Sequence, residues 1–162
     1  MKTQQEWFKE YSLSHQNKKN KAIHYVCVPL IYFSVIGLLL SINTTFLIEV
    51  TPFYVHPLIL NWAVIVLLFA LFFYWKLSLK SFILMLLFSI ISIVLNVFLS
   101  GKVSLLYISL SIFGLAWIGQ FYGHHIEGKK PSFSKGLQFL LIGPIWVFHS
   151  FFRIREERSV NN

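Results

Sequence analysis

Charge is scarce in this chain, and cysteine is nearly absent. Only 12% of the 162 residues are charged, while 56% are hydrophobic, and the mean hydropathy is +0.67. A soluble domain of this size keeps close to half of its residues in water, and this chain lacks the polar side chains to do so. It reads as an all-α integral membrane protein, a single membrane domain over residues 1–162. The lone Cys27 lies in an apolar run, which excludes a structural disulfide within the chain and leaves packing as its role. Fourteen basic against six acidic residues give a formal charge of +8. No basic stripe with interleaved aromatics occurs, however, so nucleic acid is excluded as a partner. The polar first 23 residues are followed by an apolar run with no small-residue cleavage site, so no removable signal peptide is expected.

What is present comes in blocks of hydrocarbon. Crossing a bilayer core takes about 20 apolar residues, and four segments qualify, at 24–42, 57–75, 81–99 and 103–122. Pro29 deprives the Tyr25 carbonyl of its helical donor, and the resulting bend is expected to face protein. Phe72-Phe73-Tyr74-Trp75-Lys76 reads as an aromatic belt with a snorkelling lysine. Asn61 and Asn96 read as interhelical hydrogen bonds. Upstream, Trp7, Phe8 and Tyr11 fall at helical spacing within 3–14, among Glu6, Lys9 and Glu10, the pattern of an interfacial helix. Asn20 is the expected cap of the first spanning helix. The apolar run 137–152 is shorter and carries Gly143-Pro144, which predicts a re-entrant or interfacial helical hairpin.

Basic residues orient the helices. Lys2, Lys9, Lys18, Lys19 and Lys21 precede the first segment, and residues 43–56 hold no Lys or Arg. Lys76 and Lys80 separate segments two and three, and Lys102 alone separates three and four. Lys129, Lys130 and Lys135 follow the fourth, and Arg153, Arg155 and Arg158 mark the C-terminal end. Four crossings then place both termini and the basic loops in the cytoplasm. The host would be the inner membrane of a bacterium or the endoplasmic reticulum of a eukaryote.

This topology delivers His15, His24, His124, His125 and Glu127 to one membrane face, and His56 to the other. A single interfacial histidine is most often an amphipathic anchor. Four from two distant stretches point to a site, because ionisable groups at membrane depth are usually functional. Imidazoles suit iron, copper, zinc or nickel, with oxygen or hydrolytic chemistry at open positions. His15 and His24, nine residues apart, can share a metal only if the chain turns between them. His124 and Glu127, three apart, share one helix face. His149, in the short C-terminal run, is a further candidate for support or ligation.

Two stretches carry a resemblance: His15-Gln16-Asn17-Lys18-Lys19-Asn20-Lys21-Ala22-Ile23-His24 with Pro29, and Gln120-Phe121-Tyr122-Gly123-His124 through Glu127-Gly128-Lys129-Lys130-Pro131 with Gly143-Pro144 beyond. From about Tyr11 to Phe152 the chain resembles the Mpo1-like family. The resemblance implies an Fe2+-dependent dioxygenase that α-oxidises 2-hydroxy fatty acids to the acid one carbon shorter, with release of CO2. It implies His15, His24 and His124 as catalytic iron ligands, with His125 beside them. Whether His125 and Glu127 touch the metal or support it stays open. Asn17 and Asn20 would orient imidazoles through their second nitrogens, and Lys129 or Lys130 would neutralise the substrate carboxylate. The expected partners are the 2-hydroxy acid, O2 and the lipid bilayer, with a homo-oligomer permitted. The rival readings are a haem protein with His24 and His124 as axial ligands, and a non-catalytic small membrane protein or transporter. A di-iron lipid hydroxylase would need about eight histidines, and the chain has six.

Overall fold

A computed structural model describes residues 2–51, 55–130 and 138–160. Pro131 and Lys135 lie outside the described residues, as do the side chains of Arg153, Arg155 and Arg158. The described residues form seven helices and no strand: α1 (Gln4–Ser12), α2 (Lys18–Leu40), α3 (Thr45–Glu49), α4 (Trp62–Leu77), α5 (Leu79–Ser100), α6 (Leu105–Glu127) and α7 (Gln138–Val160). Three of them, α2, α5 and α6, are long and apolar enough to cross a membrane, while α4 has 16 residues and falls short on length.

The chain divides into two compact units, Met1–Tyr32 with Gly114–Asn162, and Phe33–Phe113. In the second unit α4 and α5 pack on one another. They are joined at Ser78, whose hydroxyl caps α5 by accepting from Ser81 N. Along α5 the buried positions are Ser81, Met85, Ser89, Ser92 and Asn96, whereas Leu87, Ile91 and Phe98 are exposed. Polar residues inside and hydrocarbon outside reverse the arrangement of a soluble protein. This is the pattern expected where lipid replaces water, because small polar residues let helices approach and bond. Asn96 follows it, donating from Nδ2 to the Phe33 carbonyl of α2 at 3.2 Å. Gly37 of α2 faces Ser109 Oγ and Asn96 Oδ1 so closely that a Cβ would overlap both. Lys76 lies over the Phe72 and Trp75 rings, 5.4 and 5.3 Å from their centroids.

Four local expectations need correction. Asn61 is not an interhelical bond. It caps α4, its side chain accepting from Val64 N at 3.0 Å and donating to the Pro57 and Leu58 carbonyls. Asn17, not Asn20, caps α2: its side-chain oxygen accepts from Lys19 N at 2.8 Å and its carbonyl from Lys21 N. Gly143-Pro144 does not break α7, which runs continuously from Gln138 to Val160. Proline removes one backbone bond, but packing holds the helix there. Gly143 sits against Tyr11 and Val28, where a Cβ would stand 3.1 Å from the Tyr11 hydroxyl. Finally, the aromatic stripe of α1 is turned to protein. Trp7 and Tyr11 are buried, with Trp7 edge-on to Phe139 at 5.3 Å and Tyr11 against Trp146 at 5.1 Å. The helix itself begins where its capping box, Thr3 with Glu6, predicts.

Candidate metal centre

The site lies wholly within the first unit. α1 ends at Ser12 and α2 begins at Lys18, so the chain turns between them and carries His15 in the connection. His24 sits on the second turn of α2, and His124 on the last turn of α6. All three are buried, at 0%, 1% and 6% exposure, and one ligand nitrogen from each lies within 4.8 Å of the others. The rings meet edge to face, with centroids 4.4 Å (His15–His24), 5.0 Å (His15–His124) and 4.9 Å (His24–His124) apart.

Two of the three imidazoles are oriented by the same local device. His15 Nδ1 bonds the Tyr11 carbonyl at 2.7 Å, and His24 Nδ1 bonds the Asn20 carbonyl at 3.0 Å. A carbonyl only accepts, so each Nδ1 carries the proton and each Nε2 presents a lone pair. The orienting groups are thus backbone carbonyls four residues upstream, not the Asn17 and Asn20 side chains. Tyr11 also stacks flat on His15, with centroids 4.1 Å and planes 5° apart. Trp146 packs on both rings, 5.3 Å from His15 and 5.1 Å from Tyr11, and is tied to α1 by its Nε1 donating to Ser12 Oγ at 3.0 Å. Sequence reasoning missed Tyr11 and Trp146 as site residues. The spacing Tyr11-x-x-x-His15, repeated by Asn20-x-x-x-His24, was the available signal.

The close approach of α2 and α6 is made by glycine. A Cβ on Gly123 would meet Asn20 Oδ1 at 2.5 Å, and one on Gly119 would meet Cys27 Sγ at 2.6 Å. Gly119-x-x-x-Gly123 is the small-residue spacing that lets two membrane helices touch along their backbones. The connection carrying His15 is held by the end of α6. The Glu127 carboxylate accepts from Gln16 N (2.8 Å), Asn17 N (2.9 Å) and Asn20 Nδ2 (3.0 Å). Lys129 Nζ donates to the Leu13 carbonyl at 2.6 Å. Gly128, at φ +68°, turns the chain out of α6 in the left-handed conformation that glycine adopts freely.

The remaining candidates are not brought to the cluster. His125 is exposed, because the next residue on a helix is turned about 100° from its neighbour. His149 is exposed and packs on Phe8 at 5.2 Å. His56 lies in the second unit, its Nδ1 accepting from Leu58 N. Lys130 is exposed.

The residues present fit a metal. His15 Nε2 is buried and has no hydrogen-bond partner among the described residues, a costly state for a lone pair unless a cation takes it. His24 Nε2 and His124 Nε2 stand 3.2 Å apart. With metal–imidazole bonds of about 2.1 Å, neighbouring ligands come about 3.0–3.4 Å apart, and ligands on opposite sides of one iron about 4.2 Å. The spacing matches ligands sharing a face, not the axial pair of a haem. Burial pushes the His15 imidazole down to about 4, partly offset by its bond to Tyr11, so at neutral pH it is a free ligand. The unfolded chain takes this proton below about 6.5 and the folded chain only towards 4. The His15 contribution is therefore fully present above pH 6.5 and is lost as pH falls through that window. Metal-free protein in detergent should melt several degrees lower at pH 5 than at pH 7.5, with a smaller difference in His15→Asn. An equal difference in both would remove His15 as the cause.

The comparisons agree with this geometry. The family described as 2-hydroxy-palmitic acid dioxygenase Mpo1-like matches residues 1–154. No curated protein and no solved structure is detectably similar. With a match across nearly its whole length and the paired histidine stretches meeting in one buried cluster, the chain belongs to the Mpo1-like family.

Proposed function

We propose that this protein is an Fe2+-dependent dioxygenase that converts a 2-hydroxy long-chain fatty acid and O2 into the acid one carbon shorter, CO2 and water. The observation that carries the reading is the buried set His15, His24 and His124 in a chain of this family. Bound by these three residues, iron(II) would supply the oxygen chemistry that breaks the C1–C2 bond.

The rest falls to the chain. Three neutral imidazoles contribute no negative charge, so the centre keeps an attraction for the substrate carboxylate that a site with a carboxylate ligand would have spent. The Tyr11 and Asn20 carbonyls hold two imidazoles in one tautomer. Tyr11, stacked on His15, and Trp146, tilted against both rings, exclude water from that side of the imidazole. Lys129 is engaged at Leu13, which leaves Lys130 as the cation better placed to attract the acid from solution.

Membrane placement supports the same reading. The start of α2 and the end of α6 meet at His24 and His124, so the chain between them crosses an even number of times. We count α4 as the fourth crossing with α2, α5 and α6. Its 16 residues span about 24 Å, and apolar residues just before it extend that length. Basic residues put the histidine end in the cytoplasm. An amphiphilic acid then meets the metal with its head while its tail stays in hydrocarbon, and α1 and α7 cover the site at the interface.

Metal analysis of detergent-purified protein tests the proposal, paired with an anaerobic-to-aerobic assay on a 2-hydroxy acid. The expected result is one iron per chain, no Soret band, and O2-dependent CO2 with a product one carbon shorter. Iron-free protein that still makes that product, or iron-loaded protein that makes none from acids of several lengths, would overturn it.

A further inference from the structure

One buried polar side chain lies a single helical turn from His124 and takes no part in holding the three imidazoles. Gln120 is 8% exposed, and its Oε1 is buried with no hydrogen-bond partner among the described residues. It lies on α6, a helix apolar enough to cross a membrane. An unpaired amide oxygen is expensive in such surroundings, and a polar group kept at that depth is usually there for a purpose.

Its position suggests the purpose. Gln120 is four residues before His124, so the two share a helix face. Ala116, another turn back, is buried on the same face at 3% exposure. The C-terminal end of α6 carries His124 into the cluster, so Gln120 stands about 6 Å further into the apolar span. A head group reaching His124 along this face of α6 from the hydrocarbon side would pass Gln120 on the way. The amide oxygen accepts and, turned over, the amide nitrogen donates, so it can pair with a hydroxyl in either sense.

We infer that Gln120 is a specificity-determining residue that reads the hydroxyl beside the carboxylate of the substrate. The inference rests on the dioxygenase reading and names the group that separates substrate from ordinary membrane fatty acids. A plain fatty acid would leave the amide unpaired in a dry site, which is the physical basis on which a polar pocket rejects an analogue lacking its partner.

The test compares wild type with Gln120→Met, which keeps the length and removes the amide, and with Gln120→Leu. Three quantities are read in detergent: iron per chain, melting temperature, and the ratio of dissociation constants for palmitate and 2-hydroxypalmitate. In wild type the hydroxy acid binds tighter. In both variants that ratio falls by about tenfold, while iron content is unchanged and the melting temperature is equal or higher, since an unsatisfied amide has been removed from an apolar interior. A variant that keeps the wild-type ratio overturns the inference and leaves the dioxygenase reading standing. Loss of iron or a lower melting temperature in Gln120→Met assigns the amide a structural role and also overturns it. Wild-type protein with no preference for the hydroxy acid counts against the dioxygenase reading itself.

Discussion

His24→Ala and His124→Ala should each reduce bound iron from one per chain to a trace and lower turnover of a 2-hydroxy acid by more than 100-fold. The magnitude is set from below by outer-sphere partners, whose loss costs about 10–100-fold in metal affinity or activity. These residues are closer than that: their Nε2 atoms stand 3.2 Å apart, and each supplies one of the three nitrogens that converge among the described residues. The fold should survive. With either imidazole truncated, α2 and α6 remain pressed together at Gly119 and Gly123. Far-ultraviolet circular dichroism should match wild type while metal analysis does not. His125→Ala, an exposed position, is the matched control and should retain iron. If His125→Ala lost iron as completely as His124→Ala, the three-histidine assignment would be wrong.

The second large effect is expected at Glu127, which touches none of the three imidazoles by hydrogen bond and yet holds the segment that carries one of them. Its carboxylate is the common acceptor for Gln16 N, Asn17 N and Asn20 Nδ2. Truncation in Glu127→Ala frees the connection between α1 and α2, so His15 is no longer held against His24 and His124. Iron affinity should fall about 10–100-fold, the range for partners that orient a ligand. Stability should fall by only about 2 kcal/mol, because the carboxylate is partly open to solvent and water can replace some of the lost bonds. Glu127→Gln keeps one acceptor oxygen and should lie between wild type and alanine. Isothermal titration of iron(II) under anaerobic conditions measures both. Unchanged affinity in Glu127→Ala would show that the connection keeps its shape unaided.

The difference between Asn17 and Asn20 shows where sequence reading reaches its limit. Both are good capping residues, and both precede an apolar run. The structure gives Asn17 the cap and turns Asn20 inward, where its side chain meets Glu127 and its carbonyl meets His24. Nothing local chooses between them. The choice is made by Glu127, which lies 107 residues from Asn20 along the chain, and by Gly123, which leaves room for the Asn20 amide. Gly143-Pro144 is a similar case. Taken alone the pair is a helix breaker, but the packing of Tyr11 on Gly143 holds α7 through it.

Read by itself, the sequence determined the long apolar helices of a membrane protein, the all-helical class and the two histidine stretches. These depend on composition, on runs of apolar residues and on short motifs, which are properties of neighbours along the chain. Counting four crossings also led to the expectation that His15, His24 and His124 share one side. Only the tertiary structure decided that these three converge while His125 and His149 do not, that backbone carbonyls orient His15 and His24 while α1–α7 aromatic rings pack on His15, and that Gln120 stands buried one turn inward with its amide oxygen unpaired among the described residues. Those outcomes depend on helix rotation and on contacts between residues about 100 or more positions apart, where a turn of one residue moves a side chain to another face.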